Sequence, residues 1–243
     1  MKLTIEKTLK GRLSQFIVDN VDGVYVTHLP GTSLETVAEE ADRINQQAGK
    51  NLAVPHCAVR NIKTLSEFSN FIIKCREANL NKILVIGGSE QTGKVFQNDE
   101  QLLFYKNLYK MYKALPNLEF ECGLYPQTQT LQFMKNKVHD ESRFRGGITQ
   151  LCMNVNLLKS VGEYVGDPVK IGIPSMCSAS GLLRYMKICG NKSFKYILNN
   201  WKGIFYLKEG KFDVKRFTSL IQHDRYHVYN FGKLEKTVET LLS

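Results

Sequence analysis

Polar residues recur where apolar runs end. Glu6 follows LTI, Thr27 and His28 follow VYV, and His56 stands inside AVPHCAV; Gly87, Gly88 and Ser89 follow ILVI, Tyr125 and Gln127 follow ECGL, Thr149 and Gln150 follow GGI, and Tyr229 and Asn230 follow HV. If these runs are strands that open onto one mouth, the set gathers a carboxylate, an imidazole, hydroxyls and amides in one place. A carboxylate in a dry mouth has a raised pKa and holds a proton for delivery near neutral pH. Glu6 is the general-acid candidate. The plainer alternative is a solvated Glu6 on a short first strand.

The other polar positions carry weaker signals. VIGGS ends a run on two glycines, which let backbone N–H groups approach a ligand closely, yet an ordinary tight turn needs the same residues. Gln150 within GGITQLC puts an amide in an apolar setting, where it needs partners from a flat polar ligand or from nearby backbone. Lys137 in KNKVHD reaches either water or an anionic group. His139, His223 and His227 have no metal-ligand spacing, so no metal site is expected, and no Ser-His-Asp or Cys-His set follows from the chain order.

Short apolar runs alternating with longer stretches of helical period are the mark of a parallel sheet with crossover helices. Strands are expected over residues 2–6, 23–27, 52–58, 82–87, 118–124, 146–152, 169–173 and 226–231. Helices are expected over 33–47, 65–78, 100–114, 128–139, 156–165, 182–189, 194–201, 212–222 and 233–242. Ser33 caps the clearest of them, whose apolar face is Leu34, Val37, Ala38, Ala41 and Ile44. Eight such units without a Pro/Gly/Ser-rich linker predict an α/β chain forming a single (β/α)8 barrel over 1–243, with extra helices between strands 7 and 8. A doubly wound sheet is the second choice.

The bulk properties agree with a globular chain. Its 243 residues are 43% hydrophobic, and no apolar stretch is long enough for a membrane span or a secretory signal, so a cytoplasmic protein is expected. Six cysteines without a CxxC pair read as reduced, buried thiols. The net charge of +10 is spread along the chain, which suits an anionic small substrate and gives no nucleic-acid or membrane signature. A homo-oligomer is left open.

Taken in order, IE at 5–6, VYVTHLPG at 24–31, PHCAVRN at 55–61, ILVIGGS at 83–89, GLYPQ at 123–127, ITQ at 148–150, GIPSM at 172–176 and HVYNFGK at 227–233 resemble the methylenetetrahydrofolate reductase family. The resemblance implies a barrel that binds FAD and passes a hydride from NADH or NADPH to a tetrahydrofolate derivative, polyglutamylated in the cell. It implies Glu6 as the acid. Thr27, His56, Gly87, Gly88, Ser89, Tyr125 and Lys137 are implied as flavin contacts, and Gln150 and Tyr185 as substrate contacts.

The sequence departs from that family at several positions. Ser89 stands where an Asp is usual, Gln127 and Gln129 where an acid and a His are usual, and Gly181 where a Gln is usual. Two further functions are therefore carried beside flavin-dependent folate reduction. One is a flavin-free folate-binding enzyme or subunit of one-carbon transfer or demethylation; the other is a non-catalytic barrel that serves interactions.

Overall fold

The strand β1 (Lys2–Lys7) carries two kinds of side chain. Leu3 and Ile5 face the apolar shell under the helices, whereas Thr4 faces the other way and meets His227. This period of two means that both faces of the strand are covered. The computed structural model, which describes residues 1–87, 118–139, 144–182 and 206–243, repeats the pattern around a ring.

The ring consists of β1, β2 (Gly23–Val26), β3 (Ala53–Ala58), β4 (Lys82–Ile86), β5 (Glu119–Leu124), β6 (Gly147–Thr149), β7 (Val169–Pro174) and β10 (Arg225–Tyr229). Each pairs in parallel with its neighbours, and Lys2 against Arg225 closes the barrel. The short strands β8 (Leu207–Lys208) and β9 (Lys211–Phe212) form a separate antiparallel hairpin. The expected (β/α)8 barrel is the observed fold.

The helices that wrap it are α1 (Gln15–Asn20), α2 (Leu34–Ala48), α3 (Leu65–Glu77), α4 (Leu131–His139), α5 (Val155–Val165), α6 (Val214–Ile221) and α7 (Leu234–Leu242). Side chains stop their first turns: Ser33, Thr64, Asn154 and Asp213 each accept from the backbone N–H three residues on. On α2 the buried residues are the five expected from the sequence. Among the described residues, no helix is long and apolar enough to cross a membrane.

Several boundaries differ from expectation. The sixth strand ends at Thr149 rather than at residue 152, because Cys152 and Met153 turn away to enter the core before Asn154 caps α5. The β8–β9 hairpin had not been expected, and the helix expected from 212 starts at Val214 behind its Asp213 cap. The short α1 and a 3-10 turn at Val59–Asn61 had no periodic signal to announce them. The helices expected over 100–114 and 194–201, and nearly all of that over 182–189, lie outside the described residues.

One end of the barrel is pinned through a backbone approach that only glycine permits. Gly172 N donates to Thr149 Oγ1 at 2.8 Å, while Tyr229 reaches over Gly172 to donate its hydroxyl to Thr149 O at 2.9 Å. A Cβ at Gly172 would overlap the Thr149 carbonyl and stand 2.6 Å from Tyr229 Cε2. Overpacking of this kind costs roughly 1–3 kcal/mol, and a backbone neighbour cannot move aside as a side chain can. Gly172→Ala is therefore expected to lose about 3 kcal/mol or more in urea unfolding; a loss below about 1 kcal/mol would mean that Tyr229 does not seat there.

Candidate active site

Strand alternation sends Thr4 and Glu6, Tyr25 and Thr27, Val54 and His56, Glu121, Lys170, and His227 and Tyr229 into the barrel. Contacts between strands that are not neighbours confirm this placement: Tyr25 of β2 donates its hydroxyl to Glu121 of β5 at 2.5 Å, and Tyr229 of β10 reaches Thr149 of β6. Barrel interiors are commonly filled by branched aliphatic side chains. Here Val54, Leu84 and Ile148 supply that filling only around Tyr25, and polar groups take the rest.

Those polar groups are mostly satisfied. Glu121, with its side chain 3% exposed, accepts from Tyr25 and from Lys170 Nζ at 2.7 Å. Thr4 donates to Tyr226 O at 3.2 Å, so His227 Nδ1, 3.0 Å from the same hydroxyl, must be the donor there. At the rim, His28 accepts from Ala58 N at 3.1 Å on Nδ1 and faces Thr32 O at 3.2 Å with Nε2. An acceptor on one nitrogen and a donor on the other fix a neutral ring.

Two buried polar atoms at this end break this rule, as Arg225 Nε does at the start of β10. Thr27 Oγ1 and His56 Nε2 have no hydrogen-bond partner among the described residues. They sit on adjacent strands at the end where β1, β2 and β3 open, and an unpartnered buried donor or acceptor costs about 1–3 kcal/mol. Glu6 completes the corner. It pairs in register with Tyr25, and the Tyr25 ring lies 6.0 Å from the His56 ring.

The environment drives these groups apart in acidity. Burial pushes the Glu6 carboxyl up to about 7, so it exchanges a proton at neutral pH. Burial, with a smaller repulsion from His28, holds the His56 imidazole down to about 3. His227 is also held well below its ordinary value, first by burial and then by His56 and Lys170. A titratable acid and an imidazole kept neutral at one end of a barrel are a pair whose acidities are driven apart, the pattern by which one site performs both halves of a proton transfer.

The remaining expected site residues fall in different places. Tyr125 stands at the same end, its hydroxyl over Gly87 and Gly123, where added Cβ atoms would lie 3.6 and 3.4 Å from it. Gln150 lies just past the end of β6, half-buried at the rim, and not inside a strand. Lys137 is turned to the protein: its Nζ donates to Gly123 O at 2.8 Å and lies 5.6 Å from the centre of the Phe144 ring. Gly87 O accepts from Arg60 N at 3.0 Å. Gly88, Ser89 and Tyr185 lie outside the described residues.

Tyr25, Glu121, Lys170 and His227 were not singled out from the sequence as site residues. Their signal was available in the period of two, which places alternate residues of GVYV, EFECGL, VKIGIP and YHVY on the inner face. A groove of about 480 Å3, lined by Ser33, Glu35, Thr64, Asn70 and Lys74, lies on the outer wall between α2 and α3. Lys74 there is already paired with Glu35 and Glu39, so the chemistry is placed at the mouth. Among the described residues, no group of three or more His, Cys, Asp or Glu side chains is placed to hold a metal ion.

No protein family's sequence profile matches the chain, and no curated protein matches it. Solved structures do share its fold. A protein described as QR15, an aldolase, is 9% identical, with a TM-score of 0.52 over 100% of this chain and 94% of that one. A 2,3-dimethylmalate lyase, described as a PEP mutase/isocitrate lyase superfamily member, is 7% identical, with a TM-score of 0.57 over 99% and 80%. An oxaloacetate acetylhydrolase, solved with its product oxalate, is 8% identical, with a TM-score of 0.59 over 99% and 78%.

These findings correct the resemblance to the methylenetetrahydrofolate reductase family. The short strand-end motifs that carried it bring no family match, and the barrels that superpose on the chain include ones described as an aldolase, a 2,3-dimethylmalate lyase and an oxaloacetate acetylhydrolase. Strand ends of any such barrel favour Gly, polar residues and small turns, so short matches there follow from shared architecture. The oxidoreductase assignment and flavin-dependent folate reduction fall with it, and the folate-binding and non-catalytic alternatives gain no support. FAD, the nicotinamide donor and the tetrahydrofolate partner had been implied by that resemblance alone.

The mouth has a measurable signature in stability. Glu6 binds a proton more tightly folded than unfolded, so its contribution is full below about pH 4.5 and is lost as pH rises through about 7. His56 behaves oppositely. Its folded value of about 3 lies below the unfolded one, so stability is present above about pH 6.5 and lost as pH falls toward 3. Glu6→Gln is expected to abolish the decline between pH 5 and 8, worth up to ~3 kcal/mol, while leaving the acid-side loss in place. Urea unfolding at a series of pH values checks this, and a decline that persists unchanged in the variant contradicts it.

Proposed function

We propose that the chain is an enzyme that moves protons on a small carbonyl substrate at the barrel mouth, in a lyase- or aldolase-type cleavage of a carbon–carbon bond. The observation that carries this reading is the placement, around Tyr25 at one end of the barrel, of Glu6, raised by burial to about 7, and of His56, neutral and unpartnered at Nε2. The reaction class is suggested by the barrels of the same fold whose descriptions name a lyase, an aldolase and an oxaloacetate acetylhydrolase.

Cleavage of a 3-hydroxy carbonyl compound needs a base on the hydroxyl and a donor at the carbonyl oxygen. Glu6, as the carboxylate, takes the hydroxyl proton; the O–H electrons form a new carbonyl, and the carbon–carbon bond breaks. The released pair passes into an enolate, whose oxygen accepts a hydrogen bond from His56 Nε2–H. Glu6, now protonated, returns its proton to the enolate carbon. Thr27 Oγ1 provides a second hydrogen bond to a substrate oxygen, which satisfies the two atoms at this end at once.

The neutral state of His56 serves this step. An imidazole held near 3 donates from Nε2 without giving up its proton, as a fixed electrophile should. A carboxyl near 7 is populated in both protonation states at neutral pH, which suits a group that takes and returns a proton.

The test follows hydrogen exchange on a panel of pyruvate, oxaloacetate, 2-methylmalate and 2,3-dimethylmalate in D2O by proton NMR. The wild-type protein is expected to exchange or cleave at least one member. Glu6→Gln should lower that rate about 10²–10⁴-fold, and His56→Phe about 10²-fold or more, with the barrel still folded. Absence of exchange across the panel, or an undiminished rate in Glu6→Gln, would overturn the reading.

A further inference from the structure

Beneath the mouth, a charged network occupies space that apolar side chains could fill more cheaply. Glu121 is buried, and its carboxylate holds three groups: the Tyr25 phenol at 2.5 Å, Lys170 Nζ at 2.7 Å and, more loosely, Lys82 Nζ at 4.0 Å. Desolvating such a pair costs several kcal/mol, and a well-packed apolar pair of the same volume is often as stable. Stability alone does not explain why the network is here.

Its geometry does. Tyr25 is the only partner of Glu121 named above that touches the mouth. The ring meets His56 edge-on at 6.0 Å and 64°, and meets His227 edge-on at 5.0 Å and 81°. His227 packs in turn against Tyr229 at 5.0 Å, and Tyr229 braces the opposite rim through Thr149. Lys170 Nζ also lies 5.6 Å from the centre of the Tyr25 ring. The phenol is thus held at its oxygen by Glu121 while its ring carries two imidazoles.

We infer that Glu121 is a positioning residue for the mouth: by fixing the Tyr25 hydroxyl it sets the ring against which His56 is presented to substrate, and Lys170 is present to neutralise it. The inference rests on the acid–base reading of Glu6 and His56 but adds residues that touch neither substrate nor reacting atoms. The charged and titratable groups that face His56 are His28 at the rim, His227 across the interior and Tyr25 below. Glu6 is the carboxyl at the same end, in register with Tyr25, and Glu121 is not among the groups that face His56, so Glu121 acts on His56 through Tyr25.

The inference separates the hydrogen bond from the charge. Glu121→Gln with Lys170→Met removes both charges but keeps an acceptor for the Tyr25 hydroxyl. Glu121→Leu with Lys170→Met removes the acceptor as well, and neither double variant leaves a lone buried charge. The histidine Cε1–H signals of the full chain are followed by heteronuclear NMR from pH 8 downward.

In the first double variant, His56 and His227 should keep their wild-type positions and titration. In the second, both signals should move, and His56 should start to titrate about one pH unit or more higher as water reaches a displaced ring. If the second variant does not fold, Tyr25→Phe, which removes only the phenol oxygen, supplies the same comparison with the same expected result. Equal behaviour of His56 in the acceptor-keeping and acceptor-lacking variants overturns the inference. A wild-type His56 that titrates near its ordinary value overturns instead the acid–base reading on which it rests.

Discussion

A closed ring of parallel strands must fill its own interior, and every polar atom placed there must find a partner or be paid for in stability. That constraint organises this molecule. Thr4 and His227 meet it between neighbouring strands, Tyr25, Glu121 and Lys170 meet it across the barrel, and Tyr229 meets it through the Thr149 carbonyl. Thr27 Oγ1 and His56 Nε2 do not, and these two open toward the end where Glu6 lies. The same desolvation that makes orphaned atoms costly raises the Glu6 carboxyl and keeps the imidazoles neutral.

The helical shell serves this interior. Lys7 follows Glu6 on β1, points outward, and is held by Glu40 of α2 at 2.5 Å and by the Thr8 carbonyl at 2.7 Å. Arg43 fixes the other side of Glu40 in two hydrogen bonds, and the pairing holds the Glu40 carboxyl low against the opposing effect of its burial. The end of β1 is tied to a helix one residue beyond Glu6, so the carboxylate stands on a rigid strand and not on a loop. Rigid support of this kind is what a proton-transfer group requires.

Much of the architecture was legible in the sequence because it is written in short-range periodicity. The face of α2, its Ser33 cap and the run of β1 follow from spacing alone, and so does the count of barrel strands. Glu6, Thr27 and His56 were legible for the same reason, since they stand where apolar runs end. Tyr25, Glu121 and Lys170 were not, because their partnership spans residues 25, 121 and 170 and exists only once the ring is closed. The family resemblance failed at another level: short motifs at strand ends report the needs of the barrel, whereas function resides in side chains that meet across it.

The central claim is that the barrel mouth holds Glu6 as a carboxyl poised to exchange a proton at neutral pH. It is tested most directly by the titration of the Glu6 side-chain carboxyl carbon in isotopically labelled protein, assigned by comparison with Glu6→Gln. A midpoint near 7 is predicted from its burial. A midpoint at the ordinary glutamate value of about 4.3 would contradict the account.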